Sequence, residues 1–425
     1  MDINTFFRKL VIIFTDHSIR NRVLFILGAL VVFRALANIP IPGVDQVVLA
    51  QFFADNEFLG LLNIFSGGGL ANLSIVMLGV GPFITASIIM QLMTVMSPKV
   101  KSLQSQEGEA GRAKFVQYSR MLTLPLAILQ AFGFLTLLQN NGVLLPLSTF
   151  EFAVNVVLVV AGSMLLMWIG ELVTEFGIGN GVSIIIFAGI VAIMPSTISQ
   201  LLFAYEPTLL PLYITGAIVA LLATYAVVFM TEAERPVPIT YAKQSRSAST
   251  YGGSSSYLPL RLNQAGVIPI IFALSILLFP SMIINVLAGA NFSNLAQIEI
   301  AVNNFLNNPL LYGSVYFILV FLFTFFYTAV TFDPENVAKN LQRNGGFVPG
   351  IRPGGQTAEY LGNVITRLTF VGASFLGLVA ILPIGMQFAT GITQLAIGGT
   401  ALLIAVTVVL DLIRRLDAQA SMREY

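Results

Sequence analysis

Long apolar runs, broken by clusters of Gly, Pro and charge, dominate the chain, and run length more than periodicity sets the reading. A membrane-spanning helix needs roughly 20 consecutive apolar residues. Ten stretches of that kind recur, at 23–38, 73–96, 119–138, 152–172, 182–203, 209–230, 264–287, 311–331, 364–384 and 395–413. They predict an all-α polytopic membrane protein with ten transmembrane helices. Residues 1–22, with Arg8, Lys9, Arg20 and Arg22 around the apolar run LVIIF, read as a short amphipathic helix on the membrane surface.

One stretch breaks the rhythm. NIFSGGGLANLS (63–74) lies between apolar residues 58–65 and 73–96, where a span should be under way, yet it holds three consecutive glycines. Each Gly weakens a helix by roughly 1 kcal/mol relative to Ala, so three together break it. The apolar piece at 61–65 is too short to span, and SGGG permits a sharp reversal after it.

Composition fixes the solvent. With 56% hydrophobic and 10% charged residues over 425, the chain is no ordinary soluble globule. It has no cysteine, so neither disulfides nor thiolate metal sites hold the fold. Its one histidine, His17, reads as a solvated surface residue. Without His, Cys or paired carboxylates in the spans, no catalytic site, metal site or cofactor is expected, and the chain does not read as an enzyme. GIGNG (177–181) follows no strand and is followed by no P-loop Lys, so it reads as a tight turn and not as a phosphate cradle.

Charge placement orients the spans. Four of the 21 Lys and Arg precede the first span, Arg34 lies inside it, five fall at 98–120, four at 232–264, four at 332–367 and three after the last span. Loops 39–72, 139–151, 204–208, 288–310 and 385–394 hold none. The positive-inside rule therefore places those five loops outside and both termini in the cytoplasm. The two longest inside loops, 232–263 and 332–363, read as projecting cytoplasmic surfaces. Within the membrane, Arg34 is the one basic residue, and Glu171 and Asp411 lie near cytoplasmic ends, so no acidic relay crosses the midplane.

Six motifs carry a family resemblance beyond composition: VFRALANIPIPGV (32–44), GVGPFITASIIMQL (79–92), GEAGRAKFVQYSR (108–120), GIGNGVSIIIFAGIV (177–191), AGVIPIIFALSILLFP (265–280) and GFVPGIRPGGQTAEYL (346–361). With the Gly-rich stretch, they resemble, in order, the SecY family, the large subunit of the bacterial protein-conducting channel. The resemblance implies two inverted, pseudo-symmetric five-helix halves, 1–205 and 206–425, around an hourglass pore in the cytoplasmic membrane. It implies a ring of aliphatic residues, Val80, Ile84, Ile186, Ile271 and Ile404, that seals the pore. It implies a plug at 61–70, with Leu61, Leu62, Asn63, Ile64, Phe65, Ser66, Gly67, Gly68 and Gly69, whose glycines act as a hinge. A lateral gate between spans 2 and 7 is implied, with Thr85, Ser87, Gln91, Gln130 and Ser275 hydrogen-bonding across it and Pro82, Pro269 and Pro280 kinking its helices. Arg352, Lys243 and Arg246 are the implied partner contacts in the cytoplasmic loops. The partners implied are the SecE and SecG small subunits, the SecA motor ATPase, ribosomal RNA, signal sequences with the chains that follow them, and lipid.

Two function classes meet these observations. A protein-conducting channel passes unfolded polypeptides across the membrane and apolar segments sideways into it. A small-solute secondary transporter with broken helices is the alternative, and it calls for a polar midplane site and ion coupling that the sequence lacks.

Overall fold

The computed structural model describes residues 15–44, 48–49, 63, 66, 68–105, 108–140, 142–145, 147–203, 210–241, 255–266, 268–289, 301–302, 304–305, 308–390 and 393–421. Among them the helices are α1 His17–Leu36, α2 Gly81–Met96, α3 Pro98–Ser105, α4 Gly108–Asn140, α5 Thr149–Phe176, α6 Gly181–Phe203 and α7 Leu210–Glu232. Strands β1 Glu234–Tyr241 and β2 Ser255–Arg261 follow, then α8 Ile268–Gly289, α9 Pro309–Thr331, α10 Pro334–Arg343, β3 Gly346–Phe347, α11 Gly355–Thr390 and α12 Thr393–Ser421.

Local chemistry explains where several of these helices begin. The Asp16 carboxylate accepts from the Ser18 and Ile19 amides and opens α1. Ser148 and Glu151 form a reciprocal capping box at the start of α5. Asn308 and Asp333 each accept from two backbone amides at the starts of α9 and α10, and each is followed by a proline whose missing N–H costs nothing in the first turn.

Each of the ten apolar stretches falls mainly on one helix of the described chain. Five helical segments, Ala113–Gln139, Thr149–Phe176, Leu210–Glu232, Pro309–Arg343 and Gly355–Phe388, are long and apolar enough to cross a membrane. Gly81–Met96, Gly181–Ser196 and Ile268–Leu277 are shorter apolar helices.

Three expectations are corrected. Residues 73–80 are turns and not the first third of a span, because the backbone enters the left-handed region at Leu73 (φ 41°) and Gly79 (φ 58°). Residues 17–22 are the opening turns of α1 and not part of a separate surface helix, while residues 1–14 lie outside the described residues. The chain is also not wholly helical: its two long loops meet in an antiparallel sheet of order β2-β1-β3.

In that sheet β1 pairs with β2 from Glu234↔Arg261 to Thr240↔Ser255, and β3 joins only at Thr240 and Tyr241. Pro236 and Pro238 therefore fall where β1 has a partner on one side only, the place a strand tolerates residues without an N–H. Val237 and Leu260 from the sheet pack with Val348, Leu361, Val364 and Ile365. The loops are thus one small folded unit seated on the start of α11.

Ionic contacts gather at this same end. Arg414 of α12 binds Glu232 (2.7 Å) and the Thr231 carbonyl of α7, next to β1. Its neighbour Arg415 pairs with Asp411 and lies against Gly179 in the turn between α5 and α6. Arg22 at the start of α1 donates to Gly177 in that turn, and Arg120 of α4 pairs with Glu171 of α5. Glu171 and Asp411 are therefore structural ion-pair members.

Candidate pore, plug and gate

The segment before α2 is held from behind by α5. Ser163 donates to the Gly79 carbonyl at 3.0 Å, and a Cβ on Gly162 would stand 2.0 Å from the Ile75 carbonyl, so only glycine allows this approach. Ile41 N donates to Leu73 O and Ile75 N to Ile39 O, a short antiparallel bridge that ties 39–41 to 73–75. Asn155 of α5 donates to Pro42 O. This bonded wall ends at Val80, the residue that caps α2, after which Pro82 occupies the first turn.

Five aliphatic side chains then converge. Val80 is 1% exposed, Ile84 one turn along α2 is 8%, Ile186 of α6 is 2%, Ile271 of α8 is 7% and Ile404 of α12 is 1%, and all belong to one apolar cluster. The cluster goes on one turn further on three of the same helices, at Ile88, Ile190 and Val408. That second layer was readable from i, i+4 spacing but is absent from the sequence expectation. Gly162 and Ser163 were also missed, because AGS inside an apolar helix looks like ordinary filler.

Of the plug residues, Asn63, Ser66, Gly68 and Gly69 are described; Leu61, Leu62, Ile64, Phe65 and Gly67 lie outside the described residues. The described part is a tightly bonded turn. Asn63 accepts from Ser66 Oγ and Gly68 N through its carbonyl and from Ala71 N through Oδ1, while the buried Ser66 hydroxyl accepts from Leu70 N. Gly68 has φ 82°, and a Cβ on Gly69 would come within 2.8 Å of Ser74 Oγ and 3.1 Å of the Val76 carbonyl. The glycines thus fit a packed turn, which is more than a loose hinge requires.

The gate polar groups are arranged differently from the expectation. α8 packs against both α2 and α4, but Thr85 donates to Gly81 O and Ser275 to Ile271 O, each within its own helix. Gln130 of α4 is buried and Ser87 is half-buried. Gln91 Oε1 is buried with no hydrogen-bond partner, while its carbonyl accepts from Thr94. Pro82 and Pro269 stand in the first turns of α2 and α8 and open these helices instead of kinking them, whereas Pro280 lies inside α8. The ends of α2 and α9 and the starts of α4, α10 and α11 line a cavity of about 1500 Å³.

Arg352 is exposed in the turn between β3 and α11, flanked by Gly350 and Gly354 with positive φ, and its carbonyl accepts from Thr357. Lys243 and Arg246 lie outside the described residues. No group of three or more His, Cys, Asp or Glu suited to a metal is found among the described residues.

A family model described as SecY matches residues 74–413. The protein translocase subunit SecY of Vibrio cholerae is 41% identical over 418 residues, which cover 96% of this chain and 93% of that protein. The Mycobacterium leprae subunit of the same name is 40% identical, covering 96% of each chain. In three dimensions, a solved structure described as that of a protein conducting channel aligns with a TM-score of 0.65 at 17% identity, over 97% of this chain and 94% of its own. A second, described by the role of the SecY plug domain in keeping the translocation channel closed, aligns at 0.67 with 19% identity over the same shares. At these identities the structural likeness shows a common fold.

Proposed function

This chain belongs to the SecY family, and from that membership we propose that it is the channel subunit of a protein translocase, a conduit and not an enzyme. The observation that carries the reading is the meeting of Val80, Ile84, Ile186, Ile271 and Ile404, from four helices and both halves of the chain, in one cluster. A passing polypeptide needs a wet path, because each peptide group exposed to hydrocarbon costs several kcal/mol. A resting membrane must not leak ions. A constriction of aliphatic side chains meets both demands, since it dewets when empty and yields around a chain without gripping it.

The finer assignments follow from this reading. Ten spans form two inverted halves, 1–205 and 206–425, in the bacterial cytoplasmic membrane with both termini inside. Residues 61–70 plug the outer funnel, and α2 and α8 part to release apolar segments into lipid. On these two helices the Thr85 and Ser275 hydroxyls bond within their own helix and Gln91 Oε1 is buried without a partner, so few polar ties hold them together, which favours separation. SecE and SecG accompany the channel. Exposed Arg352, with Lys243 and Arg246, engages SecA or ribosomal RNA, whose phosphates suit a guanidinium. A related solved structure, at a TM-score of 0.62, is described as Sec61 in the canine ribosome-channel complex. Among the described residues no acidic relay favours a solute transporter: Glu171 and Asp411, near the cytoplasmic ends of their spans, are taken up in ion pairs.

The direct test uses the absence of cysteine from the chain. With Ile84→Cys as the one thiol, a secretory chain stalled in transit is expected to crosslink at position 84. Absence of crosslinks while the same chain crosslinks to lipid or to other membrane proteins would overturn the assignment.

A further inference from the structure

We infer that Arg34 is the charge-selecting residue of the outer funnel: a fixed cation that favours anions and acidic side chains in the path and opposes cations. The inference rests on the channel reading and adds a charge determinant that an aliphatic ring lacks.

Position comes first. Arg22 on α1 touches the turn at the sheet end of the molecule, and Arg34 lies twelve residues further on, about 18 Å along the helix. It is therefore near the opposite end, in the last turn of α1. A Cβ on Gly68 would lie 3.4 Å from the Arg34 guanidinium and 3.5 Å from the Ile193 side chain. Gly68 belongs to the plug turn. Ile193 is seven residues beyond Ile186, two helical turns, and so shares the face of α6 that carries the ring residue. The guanidinium thus reaches the ring-bearing face of α6 beside the plug, on the outer side.

Its surroundings are those of a wet wall. Arg34 is exposed, and its guanidinium has no hydrogen-bond or ion-pair partner among the described residues. A charged group at membrane depth either pairs or faces a water-filled cavity. Beside it, exposed Asn38 donates to the Arg34 carbonyl at 3.0 Å, and Asn72 lies 3.4 Å from the Asn38 side chain. The outer loops otherwise carry acidic charge, at Asp45, Asp55, Glu57, Glu151, Glu206 and Glu299, so Arg34 is the positive group set against them. Arg34 is the one Lys or Arg between Arg22 and Lys99, and the five basic-free loops all belong to the same outer face.

Reversal potentials across planar bilayers, under a potassium chloride gradient, test the inference on the purified translocase complex. An Ile404→Asn background supplies the conductance and leaves the surroundings of Arg34 intact. With Arg34 or Arg34→Lys, chloride is expected to be preferred over potassium; Arg34→Gln should cut the permeability ratio roughly thirtyfold, because one water-screened charge at about 4 Å changes each ion's occupancy about fivefold and in opposite directions. In Arg34→Cys, a positively charged methanethiosulfonate should restore the chloride preference and a negatively charged one should turn it toward potassium. Reading each channel before and after labelling makes it its own control for folding. An unchanged reversal potential in Arg34→Gln and in both labelled forms would overturn the inference. No conductance at all in the Ile404→Asn background would instead overturn the channel reading beneath it.

Discussion

The two walls that meet at the aliphatic cluster are built by different chemistry. On the side of α2, backbone groups are held directly: Ser163 binds Gly79, Asn155 binds Pro42, residues 39 and 41 bridge to 75 and 73, and Gly162 admits the Ile75 carbonyl to contact. On the side of α8, contact is made by side-chain surface. Ile270, Ala273, Leu274 and Leu277 pack with Tyr312, Tyr316, Val320 and Leu376, and Phe272 meets the rings of Phe323 and Tyr327 edge-on at 6.0 and 6.2 Å. Among the described side chains, α8 makes no hydrogen bond to another helix. It is anchored near its entrance, where Gly372 of α11 admits the Leu262 carbonyl. Hydrogen bonds and close backbone contacts have one geometry, whereas apolar surfaces trade one set of dispersion contacts for another at small cost. The comparison teaches that the segment leading into α2 is held by bonds of fixed geometry whereas α8 rests on apolar surface, so α8 is the element expected to move in the proposed gate.

The largest effect is expected where the same substitution is made on each wall. Gly162→Ala drives a methyl into a backbone carbonyl at 2.0 Å, which must push α5 away from residues 75–80. Overpacking of this kind costs about 3 kcal/mol or more when backbone cannot yield. Gly377→Ala also clashes, at 2.7 Å, but against the Phe317 ring on the apolar wall, and a ring can swing aside for about 1 kcal/mol. Thermal unfolding of the purified complex should fall several degrees further for Gly162→Ala than for Gly377→Ala. Equal losses would erase the distinction between the walls.

A smaller effect is expected from polar groups placed in the cluster itself. An asparagine amide in a dry apolar site favours hydration by about 1 to 3 kcal/mol, which corresponds to roughly 5- to 150-fold in the wet population of the constriction. Ile84→Asn and Ile404→Asn should both raise resting conductance in planar bilayers and relax the stringency of signal-sequence recognition. If only one of them leaks, the ring does not close as a unit and the comparison must be redrawn around the helix that does.

How much of this was legible from sequence divides along similar lines. Run length alone located the long apolar helices, and glycine and proline marked the interruption before Gly81, though not its extent, because Leu73 takes a left-handed backbone held by its bonds to Ile41 and Leu70. The aliphatic cluster was named from motif resemblance; nothing in an isoleucine distinguishes a residue of the central cluster from one facing lipid. The sheet went unread because ERPVPITY holds two prolines, which argue against a strand until the one-sided pairing is known. The gate hydroxyls were expected to bond across helices, but a Ser or Thr inside a helix can always reach the carbonyl one turn back, and Thr85 and Ser275 do so.

That last point gives the finest test of the comparison, with serine removed from each wall. Ser163 and Ser275 are both helical serines with ordinary hydrogen bonds, at 3.0 and 2.9 Å, yet one bond crosses to another segment and the other stays at home. Ser163→Ala leaves the Gly79 carbonyl without that donor, directly before Val80. Interhelical hydrogen bonds inside membranes contribute about 0.6 kcal/mol on average, close to a threefold change in population. Resting conductance is therefore expected to rise roughly threefold as Val80 loosens. Ser275→Ala removes only a bond within α8, and the carbonyl of Ile271 keeps its helical partner, so conductance should not change. Equal responses from the two variants would mean that the α2 wall is no more fixed than the α8 wall, and that motion at the gate is shared between them.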